Sequence, residues 1–308
     1  MLNHKFDIDA IPGERWFPKE TSFTEDMNEY WGDWGVCSEV DTLKAVLMRR
    51  PGKEIEKFDA QAVRFSDEPI DVELIRKQHD AVAKIYTDFG AKVYYVEEQR
   101  EDRPNAIFCR DLVFMTPEGA ILARPGMAAR RGEERYVAQT LAKIGVPIVA
   151  TVTGDGIFEG ACGMWVDRHT AILSTGSRCN ASGYAQVKYQ LERMGVEVYH
   201  MQQPYSNIHI DGLMNAISDD MVLVHAGQVP YDIIDMLKKK GYKILEAPSR
   251  TEVNFVTLEP GHIVMPAGNP RTQELLEKNG VKVETPDISE IMKGRGALHC
   301  ITAYLKRG

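Results

Sequence analysis

Short apolar runs typical of strands alternate along the chain with longer stretches that have the apolar spacing of a helix. This succession recurs several times. Residues 72–90 carry apolar side chains three and four positions apart and end in glycine, which predicts an amphipathic helix. One face of this helix holds Ile75, His79, Val82, Ile85 and Tyr86. Short apolar runs lie on either side, at 43–52 and 91–98. These runs predict strands, so the first unit is a strand, a helix and a strand.

Four further units follow, and each begins with two strands around a turn instead of one. The strand pairs are predicted at 110–126, 163–176, 212–227 and 254–269, the helices at 133–145, 184–195, 231–241 and 271–280, and the closing strands at 146–152, 196–201, 242–248 and 281–287. The second strands begin at Ala120, Ala171, Val222 and Ile263, in steps of 51, 51 and 41 residues. Repetition at a nearly fixed period indicates supersecondary units arranged in a ring or an array.

The two ends of this pattern complete each other. The strand at 43–52 lacks an upstream hairpin partner, and the strand predicted at 297–305 lacks a downstream partner. Pairing the two closes a ring. The sequence therefore predicts one α/β domain over residues 1–308, built from five pseudo-repeats, with residues 1–40 as an irregular N-terminal arm that packs on it.

Composition narrows the class of protein. The 308 residues are 44% hydrophobic and 27% charged, as in a globular protein with a core, and the net charge is −8 with a pI of about 5.6. An acidic chain without a run of Lys and Arg is a poor partner for nucleic acid or an anionic membrane, and it suits a small cationic substrate. No stretch has the apolar length of a signal peptide core or a membrane span. We expect a cytoplasmic protein.

The five cysteines are an odd number at wide spacings, without a CxxC pair. This pattern argues against a disulfide framework or a structural zinc site and fits a reducing compartment. Cys109, Cys162 and Cys179 are interpreted as inert buried thiols. Cys300 differs because it ends the Gly-rich segment "GRGALHC" (294–300), which predicts a thiol held at the start of a strand.

Ionisable residues stand at the starts of the first strands of several units. The segments are "FCRD" (108–111), "FEGAC" (158–162), "NIHID" (207–211) and "ALHC" (297–300). They supply Asp111, Glu159, His209, Asp211 and Cys300. If equivalent ends of the repeats face the ring axis, three carboxylates, an imidazole and a thiol meet in one place.

Three carboxylates brought together repel one another unless a cation joins them. A guanidinium fits, because its planar N–H groups bond two carboxylates in the plane and leave the central carbon open to attack from one face. In this hypothesis the thiolate of Cys300 is the nucleophile, favoured by His209 or by the bound cation. His209 first protonates the leaving amine and then activates water, while one carboxylate orients its ring.

Each of these residues also has a structural interpretation. Asp111 fits a salt bridge, Glu159 a cap on backbone N–H groups, and Cys300 a small buried hydrophobe. His209 and Asp211 also fit an exposed strand edge or, together with the other carboxylates, a metal site. The other histidines interpreted as surface or packing residues are His169, His225, His262 and His299.

The motifs resemble those of the guanidine-modifying superfamily, which has the pentein fold and includes arginine deiminases, dimethylarginine dimethylaminohydrolases, agmatine deiminases and amidinotransferases. "FCRD" resembles F-T-R-D, "FEGAC" resembles E-G-G-D, "NIHID" resembles H-x-D, and "GRGALHC" resembles the Gly-rich turn before the nucleophile. The resemblance runs from about Leu43 to Leu305.

This resemblance implies a five-bladed α/β propeller of ββαβ repeats, with no cofactor and no metal. It implies Cys300 as the nucleophile and His209 as the acid and base, with a covalent S-alkylthiouronium intermediate. Asp111 and Asp211 would hold the guanidinium, and Glu159 would bind it as well or steady His209.

Two further segments resemble parts of deiminases that bind the substrate's carboxylate. They are "ARRGEE" (129–134) and "GSRCN" (176–180). The resemblance implies that Arg131 or Arg130, together with Arg178, clamps an α-carboxylate, whereas an Arg pair before a Glu pair also fits a plain helix start. The chain departs from the family pattern at Cys109, Cys162 and Cys179, which puts sulfur near the expected site.

The leading hypothesis is a cysteine-dependent hydrolase that cuts a linear C–N bond of a guanidino or ureido amino acid. An amidinotransferase, which passes the amidino group to an amine, uses the same thiol and stays open. A non-catalytic propeller that binds basic ligands is less favoured, because the nucleophile, the histidine and the carboxylates are all present. The expected partners are a small guanidino substrate and further copies of the chain in a homo-oligomer.

Overall fold

The computed structural model describes residues 19–56, 68–225 and 227–308, whose strands form five three-stranded sheets. The strands are β1 (Leu43–Met48), β2 (Lys92–Tyr95), β3 (Val113–Thr116), β4 (Gly119–Leu122), β5 (Ile148–Thr151), β6 (Gly163–Asp167), β7 (Thr170–Thr175), β8 (Glu197–Gln202), β9 (Met214–Ser218), β10 (Met221–His225), β11 (Lys243–Ala247), β12 (Val256–Glu259), β13 (His262–Val264), β14 (Lys282–Glu284) and β15 (Ala303–Arg307). The sheet orders are β15-β1-β2, β3-β4-β5, β6-β7-β8, β9-β10-β11 and β12-β13-β14. The predicted five-bladed α/β propeller is confirmed.

Every blade has the same internal plan. Its first two strands are antiparallel, and its third strand returns parallel to the second after a helix. In the third blade, Ala171 pairs with Trp165 on one side and with Val198 on the other. The central strand is therefore the one covered on both edges, which explains why the repeated apolar strings of the sequence fall on it.

Nine helices lie between the strands of the described part of the chain. They are α1 (Phe23–Tyr30), α2 (Val72–Phe89), α3 (Glu133–Ile144), α4 (Ala181–Arg193), α5 (Tyr231–Lys239), α6 (Arg250–Val253), α7 (Pro270–Lys278), α8 (Ser289–Lys293) and α9 (Leu298–Ile301). Helix α2 begins where the Asp71 side chain accepts the N–H of Leu74 and ends at Gly90, whose φ is +103°. Glycine adopts this left-handed conformation at little cost, so the helix stops where the sequence predicts.

The predicted ring closure is confirmed. Strand β15 pairs antiparallel with β1, with Val46 opposite Tyr304 and Leu47 opposite Ala303. The two ends of the repeat pattern thus form one blade, and the last blade supplies the edge that the first blade lacks. The segment that carries Cys300 is consequently held directly beside a paired strand.

The N-terminal arm differs from the prediction of an irregular segment. Residues 1–18 lie outside the described part, but Phe23–Tyr30 form the helix α1. Ser22 and Glu25 make a reciprocal capping box at its start, which the sequence analysis overlooked. After the helix, the N–H of Gly35 donates to Leu305 O and that of Val36 to Thr116 O. The arm is therefore joined to the blades, as predicted.

One end of the propeller carries five short helical turns, one before the first strand of each blade. Three are 3₁₀ turns at Cys109–Leu112, Gly160–Cys162 and Ile210–Gly212, and two are the α-helices α6 and α9. The prediction that Cys300 stands at a strand start is wrong by one element, because the residue lies in α9 and β15 begins three residues later. In the described part of the chain, none of the helices has the apolar length to cross a bilayer.

Candidate active site

The short turns bring polar side chains from all five blades to a common centre. Asp111, Glu159, His209 and Asp211 come from three of these turns, Cys300 comes from α9, and all five residues are buried. The remaining blade supplies Asn254, which directly follows α6 and is also buried. The convergence predicted from the strand starts is present, and the fifth contributor is an amide that the sequence analysis did not select.

A glycine makes the close packing of two of these turns possible. A side-chain carbon added at Gly160 would collide with the carbonyl oxygens of Arg110 and Val113. The turn that carries Glu159 therefore lies directly against the turn that carries Asp111, since nothing projects between them. The "EGAC" segment needs its glycine for this approach.

His209 lies between two carboxylates. Its Nε2 is 2.8 Å from Glu159 Oε2, and its Nδ1 is 3.6 Å from Asp111 Oδ1. A ring nitrogen facing a carboxylate oxygen must carry a proton to donate to it, so two such neighbours favour the imidazolium. Burial opposes the charge, but Asp111 and the hydrogen bond to Glu159 raise the pKa of His209 above its usual value. The ring is thus equipped to give up a proton.

Glu159 is the carboxylate that holds His209 most closely. Burial disfavours its charge, yet the His209 hydrogen bond together with Arg130 and Arg178 lowers the pKa of Glu159 to about 2. Arg178 is 3.5 Å from Glu159 Oε1, and the backbone N–H of Gly126 donates to the same oxygen at 3.1 Å. Glu159 is therefore an anion with both oxygens engaged.

Cys300 sits between a carboxylate and an amide. Its thiol donates to Asp211 Oδ2 at 3.5 Å, and Asn254 Nδ2 donates to the sulfur at 3.2 Å. Burial, followed by the charges of Asp211 and Asp111, raises the pKa of the Cys300 thiol well above its usual value. The sulfur is consequently neutral until a cation offsets these carboxylates.

Asp211 is bonded on its far side to His299. The imidazole Nδ1 is 3.0 Å from Asp211 Oδ2, and Nε2 is 3.4 Å from Glu39 Oε2. Although burial opposes ionisation, the His299 hydrogen bond and charge lower the pKa of Asp211 to about 2. The sequence interpretation gave His299 a packing or surface role because it placed His299 and Cys300 on opposite faces of a strand. In the helix α9 both side chains contact Asp211.

A cavity of about 50 Å³ opens beside the thiol. Its lining residues are Asn207, Ile208, His209, Asp211, Gly212, Arg250, Thr251, Asn254, Arg295, Gly296, Ala297 and Cys300. Arg250 and Arg295 are exposed, and neither guanidinium hydrogen-bonds or ion-pairs within the described part of the chain. Arg295 also has a φ of +61°, unusual for a residue other than glycine and commonest at functional sites. The cavity therefore has an acidic floor and a basic rim.

The three arginines predicted to clamp a carboxylate lie elsewhere. Arg130 donates to Asp111 Oδ2 at 2.5 Å and to Glu133 Oε2 at 2.9 Å, while Arg178 pairs with Glu159. Arg131 donates through Nε to the Pro125 carbonyl. None of the three lines the cavity beside the thiol. Two of them instead neutralise the carboxylates around His209.

Cys109, Cys162 and Cys179 are buried, as predicted. Burial is the first cause that raises the pKa of each of these thiols, to about 12 for Cys179. Cys162 is 3.8 Å from the carbonyl oxygen of Ile208 and touches the His209 turn from behind. None of the three lines the cavity described above, and burial keeps these thiols protonated.

Asp111, Glu159 and His209 also offer ligand atoms within 4.8 Å of one another. The metal alternative relied instead on His209 and Asp211 with the other carboxylates. Each carboxylate already pairs with an arginine, and His209 Nε2 is bonded to Glu159. Among the four carboxylate oxygens, Asp111 Oδ1 alone makes no hydrogen bond within the described residues, and a flat organic cation that donates an N–H to it fits this pattern. A five-bladed α/β propeller with a thiol beside buried carboxylates is the arrangement expected for the guanidine-modifying superfamily, whose cysteine-dependent hydrolases and amidinotransferases use the same thiol.

Comparison with known proteins gives the family. The family model described as "N,N dimethylarginine dimethylhydrolase, eukaryotic" matches residues 46–307. The chain belongs to this family. It is 26% identical to the N(G),N(G)-dimethylarginine dimethylaminohydrolase of Streptomyces coelicolor over 85% of this chain and 97% of that one. It is also 25% identical to the Bacillus subtilis protein YkgA, over 89% and 96% of the two chains.

Solved structures share the fold. A cysteine-to-serine variant of the Pseudomonas aeruginosa dimethylarginine dimethylaminohydrolase, in complex with citrulline, superposes with a TM-score of 0.73 at 22% identity, covering 85% of this chain and 99% of that chain. The amidinotransferase SxtG of Microseira wollei superposes with a TM-score of 0.73 at 14% identity, over 89% and 97% of the two chains. Hydrolases and transferases thus use the same propeller.

Proposed function

We propose that the protein hydrolyses a linear C–N bond of a guanidino or ureido amino acid, with Cys300 as nucleophile. The observation that carries this proposal is the contact of the Cys300 thiol with Asp211 at 3.5 Å, beside a cavity with an acidic floor. Asp211 and Asp111 bind the guanidinium, and His209 is the acid and base. Of the two roles that the resemblance implies for Glu159, we assign that of steadying His209, because both of its oxygens are already engaged. The dimethylarginine dimethylhydrolase family match supports the same reading.

The proposed reaction begins when the cation enters. Its charge offsets Asp211 and Asp111, so the Cys300 thiol loses its proton to solvent and the thiolate attacks the central carbon. The imidazolium of His209 gives its proton to the leaving amine, and the C–N bond breaks to leave a thiouronium. Neutral His209 then takes a proton from water, whose oxygen adds to the same carbon. The C–S bond breaks, and the ureido product leaves.

The basic rim supports a substrate that carries an acid group. Because Arg130 and Arg178 are bonded to Asp111 and Glu159, we assign them to holding those carboxylates in place. The guanidinium groups of Arg250 and Arg295, which have no partner among the described residues, are assigned to the substrate's carboxylate. Arg131, which the resemblance implies for the same role, is half-buried and bonded to the Pro125 carbonyl.

A panel of guanidino and ureido acids, scored for released ammonia, amine or urea, tests the reaction. We expect turnover without an added amine, loss of turnover in Cys300→Ser, and a covalent thiouronium on Cys300 seen by mass spectrometry of the quenched enzyme. Turnover that requires an amine acceptor would establish the amidinotransferase instead. Unchanged turnover in Cys300→Ser would end the covalent mechanism.

The rim is tested with paired substrates, one with a carboxylate and one decarboxylated. Arg250→Gln and Arg295→Gln should each raise KM about tenfold for the acid, the loss of one charge-assisted contact. KM for the decarboxylated analogue should stay unchanged. Arg168→Gln, an exposed arginine paired with Asp41, is the control. Equal effects of the rim variants on both substrates would contradict the assignment.

A further inference from the structure

A line of three buried ionisable side chains runs from the N-terminal arm to the nucleophile. Glu39 Oε2 is 3.4 Å from His299 Nε2, His299 Nδ1 is 3.0 Å from Asp211 Oδ2, and that same oxygen is 3.5 Å from Cys300 Sγ. None of the three side chains is more than 3% exposed. Glu39 and His299 lie behind Asp211 and do not line the cavity.

The geometry fixes the charge of His299. Both ring nitrogens face a carboxylate oxygen, and a nitrogen must carry a proton to donate to such an acceptor, so the ring is an imidazolium. The other groups near it are Arg110, whose charge opposes that of the ring, and the Tyr304 ring, whose centre is 5.5 Å away at an angle of 83°. Glu39 is held in turn by the backbone N–H of Trp165 at 3.2 Å and by Arg110 at 3.8 Å.

His299 holds Asp211 from the side that faces away from the cavity. Its Oδ2 receives a charged donor from behind, and both the thiol and the cavity lie in front. A buried carboxylate without such a partner tends to protonate, and in that form it cannot bind a guanidinium as an anion. The imidazolium therefore removes the alternative in which Asp211 is neutral.

We propose that Glu39 and His299 are positioning residues that keep Asp211 ionised and aimed at the guanidinium beneath the nucleophile. This rests on the proposed function, because it assigns to that reaction two residues outside the cavity. Glu39 fixes the imidazolium, the imidazolium fixes Asp211, and Asp211 fixes the cation relative to the sulfur. The N-terminal arm is consequently part of the catalytic apparatus.

The kinetic test compares His299→Gln and Glu39→Gln with His262→Gln. His262 is the matched control, because it is a buried histidine 2.8 Å from Glu284 and 3.6 Å from Glu259, and it does not line the cavity. In His299→Gln we expect KM to rise about tenfold, the loss of one charge-assisted contact on Asp211. The acid limb of kcat/KM should move to higher pH, since Asp211 then protonates more readily. Glu39→Gln should shift both in the same direction by less.

A second measurement is independent of turnover. The ring ¹⁵N chemical shifts of labelled protein, assigned with the His299→Gln variant, should report both His299 nitrogens as protonated at pH 8 in wild type. The Asp211→Asn variant should lose this signature.

A neutral His299 at pH 8 overturns the proposal. So does a His299→Gln enzyme whose KM and acid limb match those of His262→Gln while only its melting temperature falls. Should His299→Gln fail to fold, the His299 ring signals are assigned by their change in Glu39→Gln, and the kinetics of that variant decide together with the wild-type spectrum. A wild type that turns over no guanidino compound counts against the proposed function and leaves the ¹⁵N result standing.

Discussion

At the scale of single residues, the charge of each buried group is set by its neighbours. The carboxylates Glu39, Asp111, Glu133, Glu159 and Asp211 each contact a cationic side chain, drawn from Arg110, Arg130, Arg178, His209 and His299. Burial raises the pKa of Glu133 to about 8, so Glu133 is the exception among these carboxyl groups, and the Cys300 thiol is neutral without a substrate. A thiolate adds one negative charge, and a guanidinium supplies the positive charge that compensates for it.

The depressed pKa of Glu159 makes acid stability a measurable property of the site. The folded value of about 2 lies below the reference value of 4.5, so the contribution of Glu159 to stability is complete above pH 4.5 and is lost as the pH falls toward 2. In Glu159→Gln this dependence is absent. Between pH 5 and 3, the difference in unfolding free energy between wild type and variant should shrink by at most ~1.4 kcal/mol per pH unit.

Urea unfolding at several pH values measures this difference. The variant is expected to be less stable at pH 6, where wild-type Glu159 is ionised and bonded to His209, and to approach wild type in acid. A difference that stays constant from pH 6 to pH 3 would contradict the depressed pKa. Asp211→Asn should behave similarly, since its pKa is also about 2.

At the scale of elements, the Gly-rich turn before α9 has a steric reason. A side-chain carbon at Gly296 would run into the ring of Phe108, which directly precedes the turn carrying Asp111. "GRGALHC" is thus small at this position because another blade's aromatic ring packs against it. This contact fixes the position of the turn that carries Cys300 relative to the turn that carries Asp111.

Gly296→Ala should therefore reduce kcat/KM strongly while it lowers the melting temperature only slightly. Overpacking of this kind costs about 1–3 kcal/mol, and the displaced Phe108 moves the neighbouring Asp111 turn. Replacing Phe108 by Leu in the Gly296→Ala background should restore part of the activity by making room. Steady-state kinetics with thermal melts of the two single variants and the double variant measure this; a double variant less active than Gly296→Ala would rule out the steric explanation.

The periodic elements were predictable from sequence, and the non-periodic ones were not. The apolar spacing of residues 72–90 and the final Gly90 predict helix α2. The pairing of β1 with β15 follows because the first and the last predicted strands each lack a neighbouring strand in sequence. The one-turn helix α9 is too short to show a period. Its helical geometry turns His299 toward Asp211, which alternation along a strand hides.

Residues that act through contacts distant in sequence left a weaker signal. Asn254 stands where each of the other blades carries an ionisable group, so the repeat itself marks its position. The prediction was restricted to ionisable side chains, and an amide is not one. Glu39 belongs to a segment without any period and meets His299 only in three dimensions. Arg250 and Arg295 reach the cavity from two turns whose relative position no local pattern encodes. The sequence resemblance directed attention to Arg130, Arg131 and Arg178 instead.

At the scale of the whole molecule, β15 completes the ring and anchors the nucleophile. Its pairing with β1 joins the end of the repeat pattern to its start. A variant that ends after Thr302 should lose cooperative unfolding and all turnover, because the edge of β1 is left open and α9 loses its anchor. Circular dichroism melts and activity test this. A matched variant lacking only Gly308 should behave as wild type, and native-like melting of the longer truncation would contradict the role given to β15. The homo-oligomer and the cytoplasmic location stay predictions.

The order of synthesis gives the β1–β15 seam a consequence for the newborn enzyme. Strand β1 leaves the ribosome long before its partner exists, and Glu39, made earlier still, waits for a histidine from the opposite end of the pattern. A nascent chain with four finished blades therefore has the carboxylates of the site but lacks Cys300. Under the proposed function, the enzyme becomes active only when the last strand docks.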